Sequence, residues 1–169
     1  MSRLLHWRAL ANLALQLAIL AMLAVAFFLR MPQVFGPSMA PHIASGEHVL
    51  INTFAYRFSQ PRRGDIVAFR NDDQTRPLFI KRVVGLPGDR VAVVRGRVFV
   101  NGSALAEPYV RYPDDRSFPA QTVPRNAVYV LGDNRADSED SRFFGTVADD
   151  RLVGRALAIV WPPGDVGTL

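Results

Sequence analysis

The chain has 169 residues, of which 49% are hydrophobic and 21% charged, and it carries a formal net charge of +5. This hydrophobic content excludes a disordered or low-complexity protein, and the length predicts one domain or two at most. The sequence contains no cysteine and three histidines. That composition excludes disulfide scaffolds, zinc ribbons, iron–sulfur clusters and thiol nucleophiles, and it predicts no bound metal or cofactor.

The distribution of charge argues against a nucleic-acid partner. Three of the 20 basic residues, Arg3, Arg8 and Arg30, flank one apolar run near the start of the chain. The other basic residues are nearly balanced by the 15 acidic ones over residues 31–169. Because nucleic-acid binding needs a dense basic surface, we expect no nucleic-acid partner.

The first predicted element is a long apolar helix. Residues 9–29 contain no charged side chain, and a helix of that length extends about 31 Å, close to the roughly 30 Å of a bilayer's hydrocarbon core. Two arginines precede the run and one follows it, so the positive-inside rule places the N-terminus in the cytoplasm. The sequence therefore predicts a single-pass anchor in the cytoplasmic membrane over 1–30 and an extracytoplasmic domain over 31–169.

A cleaved secretory signal is the alternative interpretation of the apolar run. The Ala24-Val-Ala26 sequence would suit a cleavage site. The apolar regions of secretory signals span about 7–15 residues, however, and this run is longer. We therefore interpret it as an uncleaved anchor.

After Arg30 the pattern changes to short β-branched and aromatic runs bounded by Gly, Pro, Asp or Asn. The predicted strands are 48–52, 66–70, 78–84, 90–94, 97–100, 128–131 and 155–161. Arg95-Gly96 is the predicted turn of a hairpin, and 107–124, rich in Pro, Asp and Arg, is a predicted irregular excursion. Such short strands predict a mostly β catalytic domain, an antiparallel sandwich or barrel-like fold behind the N-terminal helix.

One basic residue differs from all the others. Lys81 is the single lysine among the 20 basic residues, and it lies in an apolar predicted strand. Arginine keeps its proton in proteins, whereas a desolvated lysine can lose it. Lys81 is therefore a candidate general base, although it could also be an ordinary strand residue whose head reaches water.

A general base needs a nucleophile, and Ser38 is the candidate. Gly36, Pro37 and Pro41 restrict the backbone around it, which would present the hydroxyl at a fixed angle. The alternative is an ordinary serine in a Pro-rich linker. No Ser-His-Asp arrangement is evident and the G-x-S-x-G motif is absent, so a Ser–Lys dyad remains.

With these residues identified, the chain resembles the bacterial type I signal peptidases, membrane-bound Ser–Lys proteases that cleave exported preproteins. The resemblance covers nearly the whole chain and rests on four segments in order: Gly36-Pro-Ser-Met-Ala-Pro41, Arg63-Gly-Asp-Ile-Val-Ala-Phe69, Lys81-Arg-Val-Val-Gly-Leu-Pro-Gly-Asp89 and Gly132-Asp-Asn-Arg-Ala-Asp-Ser-Glu-Asp-Ser-Arg142. It implies a β-rich catalytic domain, preproteins and the lipid bilayer as partners, and cleavage after small residues in an Ala-x-Ala pattern.

The resemblance also implies roles for individual residues. Ser38 matches the nucleophile, Lys81 the base, and Ser138 a serine whose hydroxyl bonds and orients the lysine amine. Asp140 and Arg142 match a supporting ion pair. The substrate-binding pocket is expected to comprise Val34, Met39, Ile43, Phe79 and Ile80, whose apolar bulk would leave room for alanine.

Two positions depart from the family pattern. Some members carry a serine at position 36 that completes the oxyanion hole, where this chain has Gly36. The hole is therefore expected to rest on the Ser38 backbone N–H and a second donor, either the Gly36 backbone or a water. His42 stands where threonine is usual, and the sequence offers no role for it. Asp133-Asn134-Arg135 is expected to shape its loop.

Other functions fit the same residues. Cytosolic repressor-type autoproteases also use a Ser–Lys dyad, but the predicted anchor argues against them. A specialised processing peptidase, for instance one that matures a conjugative pilin, would use the same dyad. A catalytically silent, membrane-tethered β domain that binds partners is the alternative outside the enzymes.

Overall fold

The structure is a computed structural model and describes residues 2–70 and 78–169. It begins with a helix, α1, over Ser2–Phe28, which covers most of the predicted apolar run. Within the described residues, no helix combines the length and hydropathy that a membrane span requires. The predicted anchor therefore stays a prediction.

After α1 the described chain is mostly β. The strands are β1 Leu29–Arg30, β2 His48–Asn52, β3 Ile66–Phe69, β4 Phe79–Gly85, β5 Arg90–Val94, β6 Arg97–Val100, β7 Ser103–Ala104, β8 Phe118–Thr122, β9 Ala127–Leu131, β10 Val147–Ala148, β11 Leu152–Trp161 and β12 Gly167–Thr168. A short helix, α2, spans Ser141–Phe144, and single 3-10 turns occupy Asp149–Arg151 and Pro163–Asp165. The mostly β, antiparallel fold class is confirmed.

The described strands form two antiparallel sheets. The larger has the order β1-β2-β11-β3-β4-β9-β10, with β12 paired to β11. The smaller has the order β7-β6-β5-β8. Its central hairpin turns at Arg95 and Gly96, which have φ angles of 48° and 73°, as the sequence predicts. A Cβ at Gly96 would lie 1.5 Å from the backbone oxygen of Asp114, so this turn requires glycine.

The prediction of an irregular excursion over 107–124 is wrong in its last part. Phe118–Thr122 forms β8, which pairs with β5. The strand went unrecognised because it contains Pro119 and polar residues, both of which weaken a strand pattern. It is an edge strand of the smaller sheet, and an edge position tolerates a residue that cannot donate a ladder hydrogen bond.

Strand β4 has both faces covered, which matters for the candidate site. Six of its seven residues are buried. On one face Ile80 packs into a cluster with Val34 and Met39, and on the other Phe79 and Val83 pack against residues of β3, β9 and β10. A polar side chain at the centre of this strand is therefore removed from water.

Candidate active site

Residues 36–43 form a turn that presents Ser38. The turn is closed by the Ala40 N–H, which donates to the Pro37 carbonyl over 2.9 Å. Asn134 fixes it from the other side: its backbone N–H donates to the Ser38 carbonyl over 3.0 Å, and its Nδ2 donates to the Pro37 carbonyl over 3.2 Å. Met39 is buried beneath the turn. Three hydrogen bonds thus hold the backbone of Pro37 and Ser38, two at the Pro37 carbonyl and one at the Ser38 carbonyl.

Lys81 lies in β4 and reaches this turn. Its side chain is 3% exposed, and its Nζ lies 2.8 Å from the Oγ of Ser38. The amine also donates to the Ile80 carbonyl over 3.1 Å and lies 5.5 Å from the ring centroid of Phe79. The structure therefore brings Ser38 and Lys81, 43 positions apart, within hydrogen-bond distance, with the lysine buried and the serine partly exposed.

The hydrogen bond expected between Ser138 and Lys81 is not formed. The Ser138 Oγ is buried and has no hydrogen-bond partner among the described residues. The Lys81 amine is directed to Ser38 and the Ile80 carbonyl instead. The Ser138 hydroxyl lies close to Gly132, where an added Cβ would be 2.2 Å from the Ser138 Oγ and 2.5 Å from the Ser38 carbonyl oxygen. Glycine is therefore required for this close approach.

The expected ion pair of Asp140 and Arg142 is present. The Nε of Arg142 lies 2.8 Å from Oδ1 of Asp140, and its Nη2 lies 2.9 Å from Oδ2. Asp140 is 0% exposed, caps the N-terminus of α2 and accepts a hydrogen bond from the Gly132 N–H. Arg142 also contacts Asp114 over 2.7 Å. The pair therefore orders the segment that follows β9.

A second buried ionic cluster lies beside the dyad, and the sequence does not predict it. Asp133 is 0% exposed and accepts from the Nε and Nη2 of Arg82 over 2.8 and 2.6 Å. The Nδ1 of His42 lies 3.4 Å from Oδ2 of the same carboxylate. Burial acts to lower the pKa of Arg82, but the hydrogen bonds and charge of Asp133 outweigh burial and raise that pKa. No sequence signal pairs these positions, which come from three separate segments.

A groove of about 690 Å³ runs past Ser38 and Lys81. Its walls are residues 32–39 and 78–81, with Asp137 and Glu139 at the rim. The expected pocket residues that line it are Val34, Met39, Phe79 and Ile80. Ile43 does not line the groove. It is fully buried in the core cluster that includes Val34 and Met39, so its place is structural.

The backbone N–H of Gly36 does not face the groove as a spare donor. It donates to the Ser45 Oγ over 3.2 Å. Gly36 has a φ of 89°, in the left-handed region that favours glycine, and a Cβ there would meet nothing within 4 Å. The expectation that this N–H would complete an oxyanion hole is therefore not met in this conformation.

Comparison with known proteins identifies the class of the chain. The profile of the family described as "Signal peptidase, peptidase S26" matches residues 7–161. A match over this much of the chain makes it a serine peptidase of family S26.

Individual relatives narrow the class. The chain is 36% identical over 168 residues to probable signal peptidase I-2 of Synechocystis sp., covering 96% of this chain and 77% of that protein. It is 40% identical over 139 residues to signal peptidase I of Leptolyngbya laminosa, covering 78% of this chain and 68% of the relative. The crystal structure of a signal peptidase I from Enterococcus faecalis superposes with a TM-score of 0.50 at 32% identity, covering 57% of this chain and 97% of that one. The chain belongs to the bacterial type I signal peptidases, and its activity is the removal of signal peptides from exported preproteins.

Proposed function

We propose that Ser38 is the nucleophile and Lys81 the general base of a membrane-anchored signal peptidase. The observation that supports this assignment best is the 2.8 Å separation of the Lys81 Nζ and the Ser38 Oγ, with the amine almost fully buried. A base must lie within about 2.6–3.2 Å of the heavy atom whose proton it removes, and the Nζ–Oγ distance meets that requirement.

Lys81 acts only when it is uncharged. Burial in the apolar centre of β4 disfavours the charged amine, which is the condition for proton uptake near neutral pH. The neutral amine accepts the Ser38 proton as Oγ attacks the scissile carbonyl, and the Ser38 N–H stabilises the oxyanion. The ammonium then protonates the leaving amine, which leaves an acyl-enzyme. Lys81 next deprotonates a water, whose attack on the ester releases the acyl group and restores Ser38.

The groove accounts for the choice of substrate. An extended chain lying between 32–36 and 78–81 would bring its scissile bond to Ser38. Val34, Met39, Phe79 and Ile80 supply apolar walls there, and such walls favour small apolar side chains. We therefore propose cleavage after small residues in an Ala-x-Ala pattern.

Membrane attachment is proposed from α1 and its surroundings. The large apolar side chains described along α1, such as Leu13, Leu20 and Leu23, are exposed, which suits contact with lipid. At the last residue of α1, the ring of Phe28 lies 4.7 Å from that of Phe54, and Phe58, 5.1 Å from Phe54, is 83% exposed.

These exposed rings would rest at the lipid headgroups. We propose that 1–30 anchors the chain with a cytoplasmic N-terminus, and that 31–169 forms the catalytic domain on the outer face of the cytoplasmic membrane.

The catalytic proposal is tested with the full chain in detergent micelles and a preprotein carrying Ala-x-Ala before the cleavage site. Ser38→Ala and Lys81→Arg should each lower kcat by roughly a thousandfold or more. Arginine keeps the positive charge of lysine and cannot act as the base. Thermal unfolding of both variants checks that they fold, and His48→Ala, outside the groove lining, is the active control. Substantial cleavage by folded Lys81→Arg would remove Lys81 as the base.

The membrane proposal needs a separate experiment. In cells, the full chain should remain with the membrane fraction after alkaline carbonate extraction, and a protease added to spheroplasts should digest the domain over 31–169. A variant lacking 2–30 should be released from the membrane. Release of the full chain by carbonate, or protection of its domain in intact spheroplasts, would contradict the proposed anchor or its orientation.

A further inference from the structure

His42 lies on the segment that carries Ser38, and its ring points away from the substrate groove toward a buried carboxylate. The Nδ1 lies 3.4 Å from Oδ2 of Asp133. The His42 side chain is 41% exposed whereas the Asp133 side chain is 0% exposed. The contact therefore joins a surface residue of the nucleophile segment to a charge fixed in the interior.

Asp133 is fixed by a residue next to the candidate base. Arg82, which follows Lys81 in β4, donates to both oxygens of Asp133 and also to the Gly64 carbonyl over 3.0 Å. The ring of Tyr109 covers the guanidinium at 4.3 Å. A carboxylate held in this way is a rigid point of attachment.

These contacts link the segment that carries Ser38 to the strand that carries Lys81. From Ser38 the chain runs four residues to His42, whose ring meets Asp133, and Asp133 is bound by the neighbour of Lys81. Asn134, next to Asp133, donates its backbone N–H to the Ser38 carbonyl. Asn134 thus binds the nucleophile segment near its start, at Ser38, and Asp133 contacts it near its end, at His42.

We propose that His42 is a positioning residue: the contact of its Nδ1 with the Asp133 carboxylate holds the segment 37–42 so that the Ser38 hydroxyl stays within reach of the Lys81 amine. This inference rests on the proposed function of Ser38 and Lys81. Histidine suits the role because its Nδ1 can carry a proton toward the carboxylate from a short, stiff side chain at the edge of solvent. His42 itself does not line the groove, so we expect the effect of its loss to fall mainly on the chemical step.

The test compares three substitutions of His42 in the full chain, with the Ala-x-Ala preprotein as substrate. His42→Ala and His42→Leu remove the donor, and the second keeps an apolar side chain of substantial size. Each should lower kcat about tenfold and leave KM within about twofold, because a misplaced nucleophile slows the chemical step. His42→Asn supplies an amide N–H and should recover most of the wild-type kcat. His48→Ala, the matched histidine of β2 whose Nδ1 lies 3.3 Å from the Met31 carbonyl, should cleave like the wild type.

A double variant decides whether His42 acts through Asp133. If it does, His42→Ala combined with Asp133→Asn should be no slower than Asp133→Asn alone. Should His42→Ala fail to fold, the comparison of His42→Leu with His42→Asn carries the test. A wild-type kcat in the variants without the donor, equal impairment of His42→Asn, or a rise in KM alone would overturn the inference. In each of those cases the wild type still cleaves the preprotein, so the proposed roles of Ser38 and Lys81 stand. If neither the wild type nor His48→Ala cleaves it, the proposed function itself is overturned.

Discussion

Two buried carboxylates in the segment after β9 have opposite patterns of contact. Asp140 bonds within its own neighbourhood: Arg142 is two residues away, Gly132 eight, and α2 begins at the next residue. Asp133 makes its contacts across the fold, with Arg82 in β4 and with His42 in the turn that carries Ser38. Both carboxylates are 0% exposed and both are held by an arginine.

This difference in contacts indicates that Asp140 and Asp133 have different roles in the site. A carboxylate that binds only its own segment keeps that segment folded, so its loss should appear mainly as lost stability. A carboxylate that joins three separate segments fixes the distance between the groups they carry, so its loss should appear mainly in kcat. The comparison therefore predicts different consequences for two similar substitutions.

Asp140→Asn should be the most destabilising change. Breaking a buried ion pair costs about 3–5 kcal/mol, and we expect about 3 kcal/mol because Asp114 still compensates Arg142. Urea unfolding of the full chain in detergent measures the effect. Asp165→Asn, at an exposed carboxylate in a 3-10 turn, is the control and should leave the unfolding midpoint unchanged. At temperatures where Asp140→Asn stays folded, its kcat should be close to that of the wild type. A large loss of kcat there would contradict the proposal that Asp140 acts mainly on stability.

Asp133→Asn should destabilise less and slow catalysis more. Arg82 keeps its bond to the Gly64 carbonyl and its contact with Tyr109, so we expect a loss of about 2 kcal/mol for the unpaired charge. The nucleophile segment keeps its hydrogen bonds from Asn134 but loses the contact of His42 with a charged carboxylate, so kcat should fall about tenfold or more. Steady-state cleavage and urea unfolding measured on the same preparations give both quantities. Equal kcat values for Asp133→Asn and Asp140→Asn would contradict the comparison.

Gly132→Ala tests the backbone directly before Asp133, where the Gly132 N–H also donates to Asp140. The new Cβ would lie 2.2 Å from the Ser138 Oγ and 2.5 Å from the Ser38 carbonyl oxygen. Ser138 can rotate away but the Ser38 backbone has to shift, so we expect about 1.5 kcal/mol of destabilisation together with a fall in kcat. Gly164→Ala is the control, because a Cβ there meets nothing within 4 Å. Full activity of Gly132→Ala would mean that the turn accommodates the displacement.

The sequence predicts much of this fold because each strand carries its own pattern. The predicted 48–52, 90–94 and 97–100 match β2, β5 and β6, since alternating β-branched residues end at recognisable turn residues. Strand β8 lacked such a pattern because an edge strand needs fewer apolar residues. Local patterns thus predict the strands that are buried and miss those that pairing alone creates.

The sequence likewise predicts some contacts of the candidate site and misses others. The proximity of Ser38 and Lys81 was predictable because a nucleophilic serine needs a base and this chain contains one lysine. The contact of Arg82 with Asp133 was not predictable, since no chemistry distinguishes that pair among 20 basic and 15 acidic residues. Among the described residues the Ser138 hydroxyl has no hydrogen-bond partner, and this depends on side-chain directions that only the folded chain shows.

The smallest predicted effect is a loss of stability at low pH. It involves Asp114, which shares Arg142 with Asp140. Asp114 is partly buried, and this burial acts to raise its pKa, but hydrogen bonds from Arg116 and the charges of Arg116 and Arg142 outweigh burial and lower that pKa. A carboxyl group whose pKa is lower in the folded protein stabilises the fold above its unfolded pKa, about 3.9, and loses that contribution as the pH falls through the folded value. The melting temperature should therefore hold down to about pH 4 and then fall.

Asp114→Asn removes this contribution and leaves the Asp133 cluster intact. The variant should melt below the wild type at about pH 6, and the two curves should converge as the pH falls below the folded pKa of Asp114. Asp115→Asn removes the neighbouring exposed carboxylate and should follow the wild-type curve. Because Arg142 binds both Asp114 and Asp140, a parallel offset that persists in acid would show that Asp114 contributes through its packing, and that Asp140 alone supplies the charge that holds Arg142.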